Sequence, residues 1–271
     1  MSPGHPPPLG FSLDFLVDCF PSLYGFLGGK TGPAIQLVFP PRTASACQTP
    51  VDDTGLRWPN LFVPCLLGFV VGSFGFFVSA YWNRPRNFSF ACLYFGMMNL
   101  VAFLTHCVFQ PHSPNWDNSY TLDMVFTSTS SLHLILWCFP EVKGSFVGAT
   151  CIYPVLTFLL LYYVEVLPAR RLWIAEALYI GVTALAAACV ASKHAVPKMI
   201  LGENRAALGL ALTGVGMFLL APVADQFLCD FVGNPYGNLL TPAFVGCDLA
   251  FLGLIWYVIS GGQVEPKRKV R

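Results

Sequence analysis

Charged residues are scarce in this chain of 271 residues: they make up 11% of it, whereas soluble proteins carry roughly a quarter. Apolar side chains make up 55%, and the mean hydropathy is +0.61. The net charge is only +1, and no basic segment interleaved with aromatic residues is present, which excludes a nucleic-acid-binding groove. We therefore expect a polytopic membrane protein without a nucleic-acid partner.

Recognisable catalytic and cofactor motifs are also missing. No GxSxG, HExxH, Walker A or GxGxxG pattern occurs in a suitable context. The ten cysteines form no CxxC pair, and most of them fall inside apolar runs, where cysteine is expected to act as a small buried hydrophobic residue. Cys19 and Cys47 precede the first apolar run, and a disulfide between them would require an oxidising lumen.

Long apolar runs, by contrast, are plentiful. A membrane-spanning helix needs about 20 mainly apolar residues, and seven such runs are present, separated by polar or Pro/Gly clusters. They cover residues 61–82, 87–109, 121–139, 146–164, 171–191, 205–229 and 239–260. The predicted fold is therefore all-α, with a seven-helix transmembrane bundle over residues 61–260 in which consecutive helices are antiparallel.

The segments outside this bundle set its predicted orientation. Ten of the fifteen Lys and Arg residues fall on the side of the basic tail, residues 261–271, so this side is predicted to be cytosolic and the N-terminus lumenal or extracellular. The membrane is either an endomembrane (ER or Golgi) or the plasma membrane. The N-terminal segment, residues 1–60, begins Pro-rich and is expected to be partly disordered. Within it, residues 11–39 form either a short interfacial helix or an extra membrane segment.

The most polar of the apolar runs is SYTLDMVFTSTSSLHLILWC, residues 119–138. At helical spacing, Asp123 and Ser130 share one face, whereas Val125 and Leu136 occupy the opposite half. A face that carries such groups is expected to turn inward, towards other helices or a wet cavity. For the hydroxyl groups alone, hydrogen bonds between helices are a sufficient explanation.

The Asp123 carboxylate needs a partner, because an ionised carboxylate near lipid is energetically expensive. His106 is the candidate partner, since it lies near the outer end of the second run and a short hairpin returns the chain at a similar depth. His133 is about ten residues from Asp123, roughly 15 Å along a helix, and is expected to make a structural hydrogen bond. We therefore predict that His106 and Asp123 face one another.

The seventh run contains a second buried acid, Asp248, next to the potential soft metal ligand Cys247. A set of His, Asp and Cys side chains drawn from the second, third and seventh runs is compatible with a zinc site. Such a site would combine His106 and Asp123 with Cys247 or Asp248.

The run LDMVFTSTSSLHLILWC, residues 122–138, resembles the third helix of the Per1-like proteins that remodel GPI lipids. The segment AFLTHC followed by Asp123 is similar to the second-helix His and third-helix Asp of the same proteins. Together with alkaline ceramidases and adiponectin-type receptors, they belong to a superfamily of seven-helix membrane hydrolases often called CREST. The resemblance implies seven helices, a zinc ligand at His106, and zinc-activated water that attacks a lipid amide or ester near Asp123.

The sequence departs from that superfamily in two places. The seventh run, TPAFVGCDLAFLGLIWYVIS, lacks the two histidines four apart that complete the superfamily's zinc site, and Ala102 occupies the position of its second-helix serine. The late region ADQFLC followed by TPAFVGCDLAFL is also similar to vertebrate transmembrane protein 187, an orphan polytopic protein with a Cys-Asp pair in a similar place.

Three functional hypotheses follow, and they leave open whether the chain is an enzyme. The first is a catalytically diverged membrane protein without a cofactor, whose cluster of His106, Asp123, Ser130 and Asp248 binds a membrane lipid or stabilises the bundle. The second is a zinc-dependent lipid hydrolase, ceramidase-like or GPI-remodelling, with zinc on His106 and on Cys247 or Asp248, and with Asp123 and Ser130 as catalytic candidates. The third is a transporter or receptor, although no internal repeat of the kind common in transporters is evident.

Overall fold

The computed structural model describes residues 59–109, 113–142, 145–166, 181–232 and 240–262. Within these ranges the chain forms helices and turns and contains no strand. The predicted features of the N-terminal segment, including the Cys19–Cys47 disulfide and the membrane segment at 11–39, lie outside the described residues. The same holds for the end of the basic tail.

The helices follow one another with short connections. They are α1 (Pro59–Tyr81), α2 (Arg86–Phe103), α3 (Pro114–Cys138), α4 (Ser145–Val147), α5 (Tyr153–Val166), α6 (Val182–Val190), α7 (Val196–Ile200), α8 (Arg205–Val232) and α9 (Leu240–Tyr257). Wider π-helical turns extend or join them at Leu104–Val108, Gly148–Ile152, Ala191–Ala195 and Val258–Gly262.

Three helices of the described part are long and apolar enough to cross a membrane, at Leu61–Tyr81, Arg86–Val108 and Pro242–Gly261. Large apolar side chains point outward along α1 and α5, as expected where a helix meets lipid; they include Val63, Leu67, Val70, Phe74, Phe77, Val155, Leu156 and Leu159. The all-helical prediction is confirmed. The total of seven spans remains a prediction.

The connection predicted at residues 192–198 is helical instead. The chain runs from α6 through a π-helical turn into α7, and Pro197 is tolerated because it lies in the first turn of α7, where its missing N–H needs no partner. The reversal comes later, at 201–204, where Gly202 and Asn204 adopt left-handed backbone angles with φ of 81° and 51°. Lys193 and His194 therefore lie on a helix rather than in a loop.

The loop predicted at residues 110–120 is shorter than expected, since α3 already begins at Pro114. The backbone N–H of Trp116 donates to Ser113 Oγ at 3.2 Å, and the proline lies at the first helical position, where it is favoured. These two signals start α3 about two turns before its apolar part and carry Asp123 deeper into the helix.

α3 lies among the other helices and contacts α2, α5 and α6. The prediction of a single inward face is wrong, because Val125 and Leu136 in its supposed outer half are buried as well. Some hydroxyl groups bond within α3 itself: Ser128 Oγ and Thr129 Oγ1 donate to Val125 O at 3.1 and 2.7 Å. A helix enclosed by other helices can therefore carry hydroxyl groups on every side.

α9 packs between α8 and α1, and glycines bring its backbone close to that of α8. A Cβ atom on Gly246 would lie 2.7 Å from Gly214 O and 2.8 Å from Phe218 N, so only glycine fits without moving the helices apart. α1 approaches α2 in the same way, with Gly72 against the backbone of Gly96. These contacts fix the helices that carry the polar residues described below.

None of the seven cysteines whose side chains the structure describes forms a disulfide bond. Cys65, Cys92, Cys107 and Cys138 are buried, as predicted for cysteines in apolar runs. The prediction is wrong for Cys151, which is exposed on an outward surface. Cys189 and Cys247 are partly exposed.

Candidate functional site

His106 and Asp123 meet between α2 and α3. His106 lies in the π-helical turn at the end of α2, and its Nε2 atom is 4.0 Å from Asp123 Oδ2. Both residues are buried, with 7% and 2% of their surface exposed. The structure thus brings together the two residues that the sequence predicted to be neighbours, at a distance that permits a direct electrostatic interaction.

The Asp123 carboxyl is only partly satisfied by this contact. Its Oδ1 atom is buried and has no hydrogen-bond partner among the described residues. Thr127, one turn further along α3, donates to the backbone carbonyl of Asp123 at 2.9 Å. An unsatisfied buried oxygen is uncommon in proteins and calls for a physical explanation.

Asp248 is the second buried acid, and its carboxyl has fewer polar contacts than that of Asp123. It is 3% exposed, and neither carboxyl oxygen has a hydrogen-bond partner within the part of the chain that the structure describes. Phe244 and Phe251, four residues before and three after it, share its side of α9.

Contacts of these two phenylalanines show where Asp248 lies. The Phe244 ring contacts the His106 ring with centroids 6.1 Å apart, and the Phe251 ring stacks on Phe95 of α2 at 3.8 Å. Asp248 is therefore held against α2, at a level between Phe95 and His106.

Asn99 lies in this stretch of α2 and was not singled out from the sequence. It is fully buried; its Nδ2 donates to Phe95 O at 3.0 Å, whereas its Oδ1 has no partner in the described ranges. The side chain occupies the space that the missing Cβ of Gly68 leaves on α1. The sequence could have indicated this residue, because Asn99 is the only amide in the apolar run FGMMNLVAF.

Asp123 and Asp248 lie within electrostatic range of the same two cysteines. The Asp123 and Asp248 carboxyls both act on the thiols of Cys65, on α1, and Cys247, on α9. We define the acidic cluster as His106, Asp123 and Asp248; Asn99 lies seven residues, about 10 Å along α2, from His106. It lies among α1, α2, α3 and α9.

The predicted zinc set is not assembled in this arrangement. No group of three or more His, Cys, Asp or Glu side chains in the described ranges is placed to hold a metal ion. His106 and Asp123 meet, but Cys247 and Asp248 do not join them in a common coordination shell.

Positive charge lies elsewhere in the bundle. The Lys and Arg residues of the described part are Arg84, Arg86, Lys193, Lys198 and Arg205. They lie in the turn between α1 and α2, in the segment that joins α6 to α8, and at the first residues of α2 and α8. The α1–α2 turn also reaches the far end of α9, where an Arg84 N–H donates to Ile259 O at 3.0 Å. The acidic cluster therefore has no Lys or Arg neighbour among the described residues.

Ser130 and His133 form separate, structural contacts. Ser130 Oγ donates to Ala91 O at 2.8 Å and lies about 10 Å along α3 from Asp123, so the structure does not bring it to His106. His133 lies 3.2 Å from Asn87 Oδ1 and 3.4 Å from Thr150 Oγ1, which confirms the predicted structural hydrogen bond.

Comparisons of the chain with protein-family models, with curated proteins and with solved structures found no match. The resemblance to the CREST superfamily and to transmembrane protein 187 rests on the short motifs quoted above. It remains a prediction.

Proposed function

We propose that this chain is a multi-pass membrane protein with seven spans, diverged from the CREST lipid hydrolases, whose acidic cluster binds the polar head of a membrane lipid without hydrolysing it. Its N-terminus is lumenal or extracellular, its C-terminus is cytosolic, and its membrane is an endomembrane or the plasma membrane. Membrane lipids are its partners in this proposal.

One observation carries the proposal: the described helices bury two carboxyls, Asp123 and Asp248, and leave three of their four oxygens without a hydrogen-bond partner among the described residues. If the cluster only held the helices together, its carboxyl oxygens would be expected to accept hydrogen bonds from neighbouring helices. Ser130 and His133 are used in that way. Intramembrane acids without such partners are typical of ligand or ion sites.

The position of the cluster favours a lipid as that ligand. It is enclosed by α1, α2, α3 and α9, and two of these helices also present apolar surfaces of the kind that meet lipid, at Val63 and Phe77 of α1 and Leu252 and Trp256 of α9. A molecule that moves laterally from the bilayer can place its polar head in the cluster while its chains remain on these surfaces.

Hydrolysis receives less support from the arrangement. The CREST mechanism requires a zinc ion with three protein ligands and a bound water. The described residues bring only His106 and Asp123 together at the expected place, Ala102 replaces the serine, and the two late histidines are missing. We therefore favour binding over catalysis.

The test compares lipids that co-purify with the wild-type protein and with an Asp123→Asn/Asp248→Asn variant. Mass spectrometry of the extracted lipids should reveal one lipid class enriched on the wild type and lost from the variant. A Ser128→Ala variant, which removes a hydroxyl bonded within α3, is the control and should retain the lipid.

Zinc content and lipid hydrolysis are measured on the same preparations. Stoichiometric zinc that disappears in His106→Ala, together with release of fatty acid from an amide or ester lipid, would replace binding by the hydrolase hypothesis. An identical lipid content in the wild type and the double variant would contradict lipid binding.

A further inference from the structure

The end of the bundle opposite the acidic cluster contains an open cavity of about 490 Å³, which we name the Arg84 cavity. Trp82, Asn83 and Arg84, from the turn between α1 and α2, line it together with Ile259, from the π-helical turn after α9. Its volume is within the range of small-ligand sites, about 300–1,000 Å³. The sequence has no Asp or Glu in residues 79–91 or 249–262, the two segments that form this lining. The cavity therefore presents positive charge without an acidic partner in either segment.

Arg84 supplies that charge, and its guanidinium is only partly satisfied. One of its N–H groups donates to Ile259 O at 3.0 Å, which ties the α1–α2 turn to the end of α9. Its Nε atom is buried and has no hydrogen-bond partner among the described residues. A guanidinium that served only to join these helices would be expected to pair its buried N–H groups, because an unpaired buried donor is costly. The arrangement therefore calls for an acceptor that carries negative charge.

We propose that the Arg84 cavity binds the phosphate group of a phospholipid, with the Arg84 guanidinium as the principal contact. A phosphate group has several acceptor oxygens around one centre, and arginine pairs with such a group through two parallel N–H donors. The exposed amide of Asn83 and the indole of Trp82 bring further N–H donors to the lining. α2 begins at Arg86, directly after this turn, and the N-terminal end of a helix favours negative charge.

The surroundings of the cavity favour a phosphate that belongs to a lipid. Tyr81 and Trp82 are 82% and 46% exposed at the end of the apolar helix α1. Exposed Tyr and Trp side chains are typical of the membrane–water interface, and basic pockets at the cytosolic side of membrane helices bind lipid head groups. The site is separate from the proposed lipid site at the acidic cluster, because Arg84 precedes α2 whereas His106 lies in the turn that ends it.

The test measures thermal unfolding of the full-length protein in a non-ionic detergent, followed by the loss of its helical circular dichroism signal. A ligand that binds the folded state raises the midpoint, and the dependence on ligand concentration gives an apparent Kd. The probes are a short-chain phosphatidic acid, the diacylglycerol with the same chains, and inorganic phosphate. The first two differ only in the phosphate group.

Two pairs of variants locate the site. Arg84→Gln removes the guanidinium, and its control Arg86→Gln removes an exposed cation outside the lining. Asn83→Asp places a carboxylate in the lining with little change in size, at a backbone φ of 50° that Asp tolerates. Its control is Asn204→Asp, since Asn204 has a φ of 51° and also lies outside the lining.

We expect phosphatidic acid to raise the wild-type midpoint and the diacylglycerol to have little effect. Arg84→Gln and Asn83→Asp should each weaken the apparent affinity for phosphatidic acid by about tenfold or more, because one removes a charge-assisted hydrogen bond and the other adds like charge. The two control variants should bind it like the wild type. Each shift is measured from the variant's own midpoint, and Asn83→Asp decides the result if Arg84→Gln fails to fold.

Other outcomes would overturn the inference in distinguishable ways. Equal protection by the diacylglycerol, or no protection by any probe, would overturn phosphate recognition. Equal protection by inorganic phosphate would support phosphate recognition and overturn the lipid as its source. Equal losses in Arg84→Gln and Arg86→Gln would overturn the cavity as the site, in favour of a general attraction to this end of the bundle. The Asp123→Asn/Asp248→Asn variant should keep the full shift, and its loss there would assign the phospholipid to the acidic cluster instead.

Discussion

Gly246 provides a sharp test of how α9 is positioned, because its replacement by Ala adds one methyl group against two backbones. The new Cβ would lie 2.7 Å from Gly214 O and 2.8 Å from Phe218 N, whereas ordinary contacts begin at 3.4 Å. α8 and α9 must therefore separate by roughly 0.6–0.7 Å, enough to forfeit a quarter to a half of the local dispersion attraction. Overpacking of this kind costs about 2–3 kcal/mol, against a gain of about 1 kcal/mol in helix propensity.

The matched control is Gly216→Ala on α8, where an added Cβ meets no atom within 4 Å. This variant should keep the propensity gain, so the two substitutions should differ by about 2–3 kcal/mol in unfolding free energy. Unfolding can be followed by the exposure of buried thiols such as Cys92 to a fluorescent maleimide. At about 2–4 °C per kcal/mol for a chain of this size, the two thermal midpoints should lie roughly 4–12 °C apart.

A Gly246→Ala protein as stable as Gly216→Ala would refute the close approach of α8 and α9. It would also remove the support for the placement of Asp248, which lies only two residues from Gly246 on the same helix. A lowered midpoint with an unchanged content of bound lipid would show that α9 tolerates the shift without losing the proposed lipid site.

Two further predictions concern the first turn of α2, at the end of the helix away from His106. The sequon Asn87-Phe88-Ser89 lies in the first turn of α2, at the end of the bundle predicted to be cytosolic, so Asn87 should carry no glycan in cells. A mass shift on enzymatic deglycosylation, mapped to Asn87, would invert the proposed orientation. His133→Phe keeps a ring at this site but leaves Asn87 Oδ1 without its partner at 3.2 Å, and should lower the unfolding free energy by about 1–3 kcal/mol in thermal unfolding. The exposed Ser192→Ala is its control, and equal stability of the two variants would contradict the structural role of His133.

The parts of the fold that the sequence predicted correctly depend on long apolar runs. α1, α2 with its π-helical turn, and α9 end within a few residues of their predicted limits, because about 20 apolar residues between polar clusters leave little freedom for a helix in lipid. The errors lie where a local signal competed with that pattern. Residues 192–198 contain Lys, His and Pro, which are typical of a loop, yet Pro197 falls at a helical position that accepts it.

The candidate site was predictable from the sequence only where a buried charge would be unstable without a partner. The cost of a buried carboxylate pointed from Asp123 to His106, and the two side chains meet. Asn99 was missed because a neutral amide in an apolar run does not need a charged partner. Its position also depends on the space beside Gly68, which lies on another helix. The central position of α3 was missed for a related reason, since helix periodicity describes one helix and not the number of its neighbours.

Charge separation along the bundle connects the orientation of the chain with its candidate site. The described Lys and Arg residues lie at the end of the bundle predicted to be cytosolic, whereas Asp123 and His106 lie towards the opposite ends of their helices. The acids therefore cannot be neutralised by these residues across the low-dielectric interior, where an unpaired charge is costly. Asp248, with both oxygens unsatisfied, must either hold a proton or receive positive charge from a ligand. A ligand that satisfies these oxygens would stabilise the folded state directly, so its binding should raise the unfolding midpoint of the whole bundle.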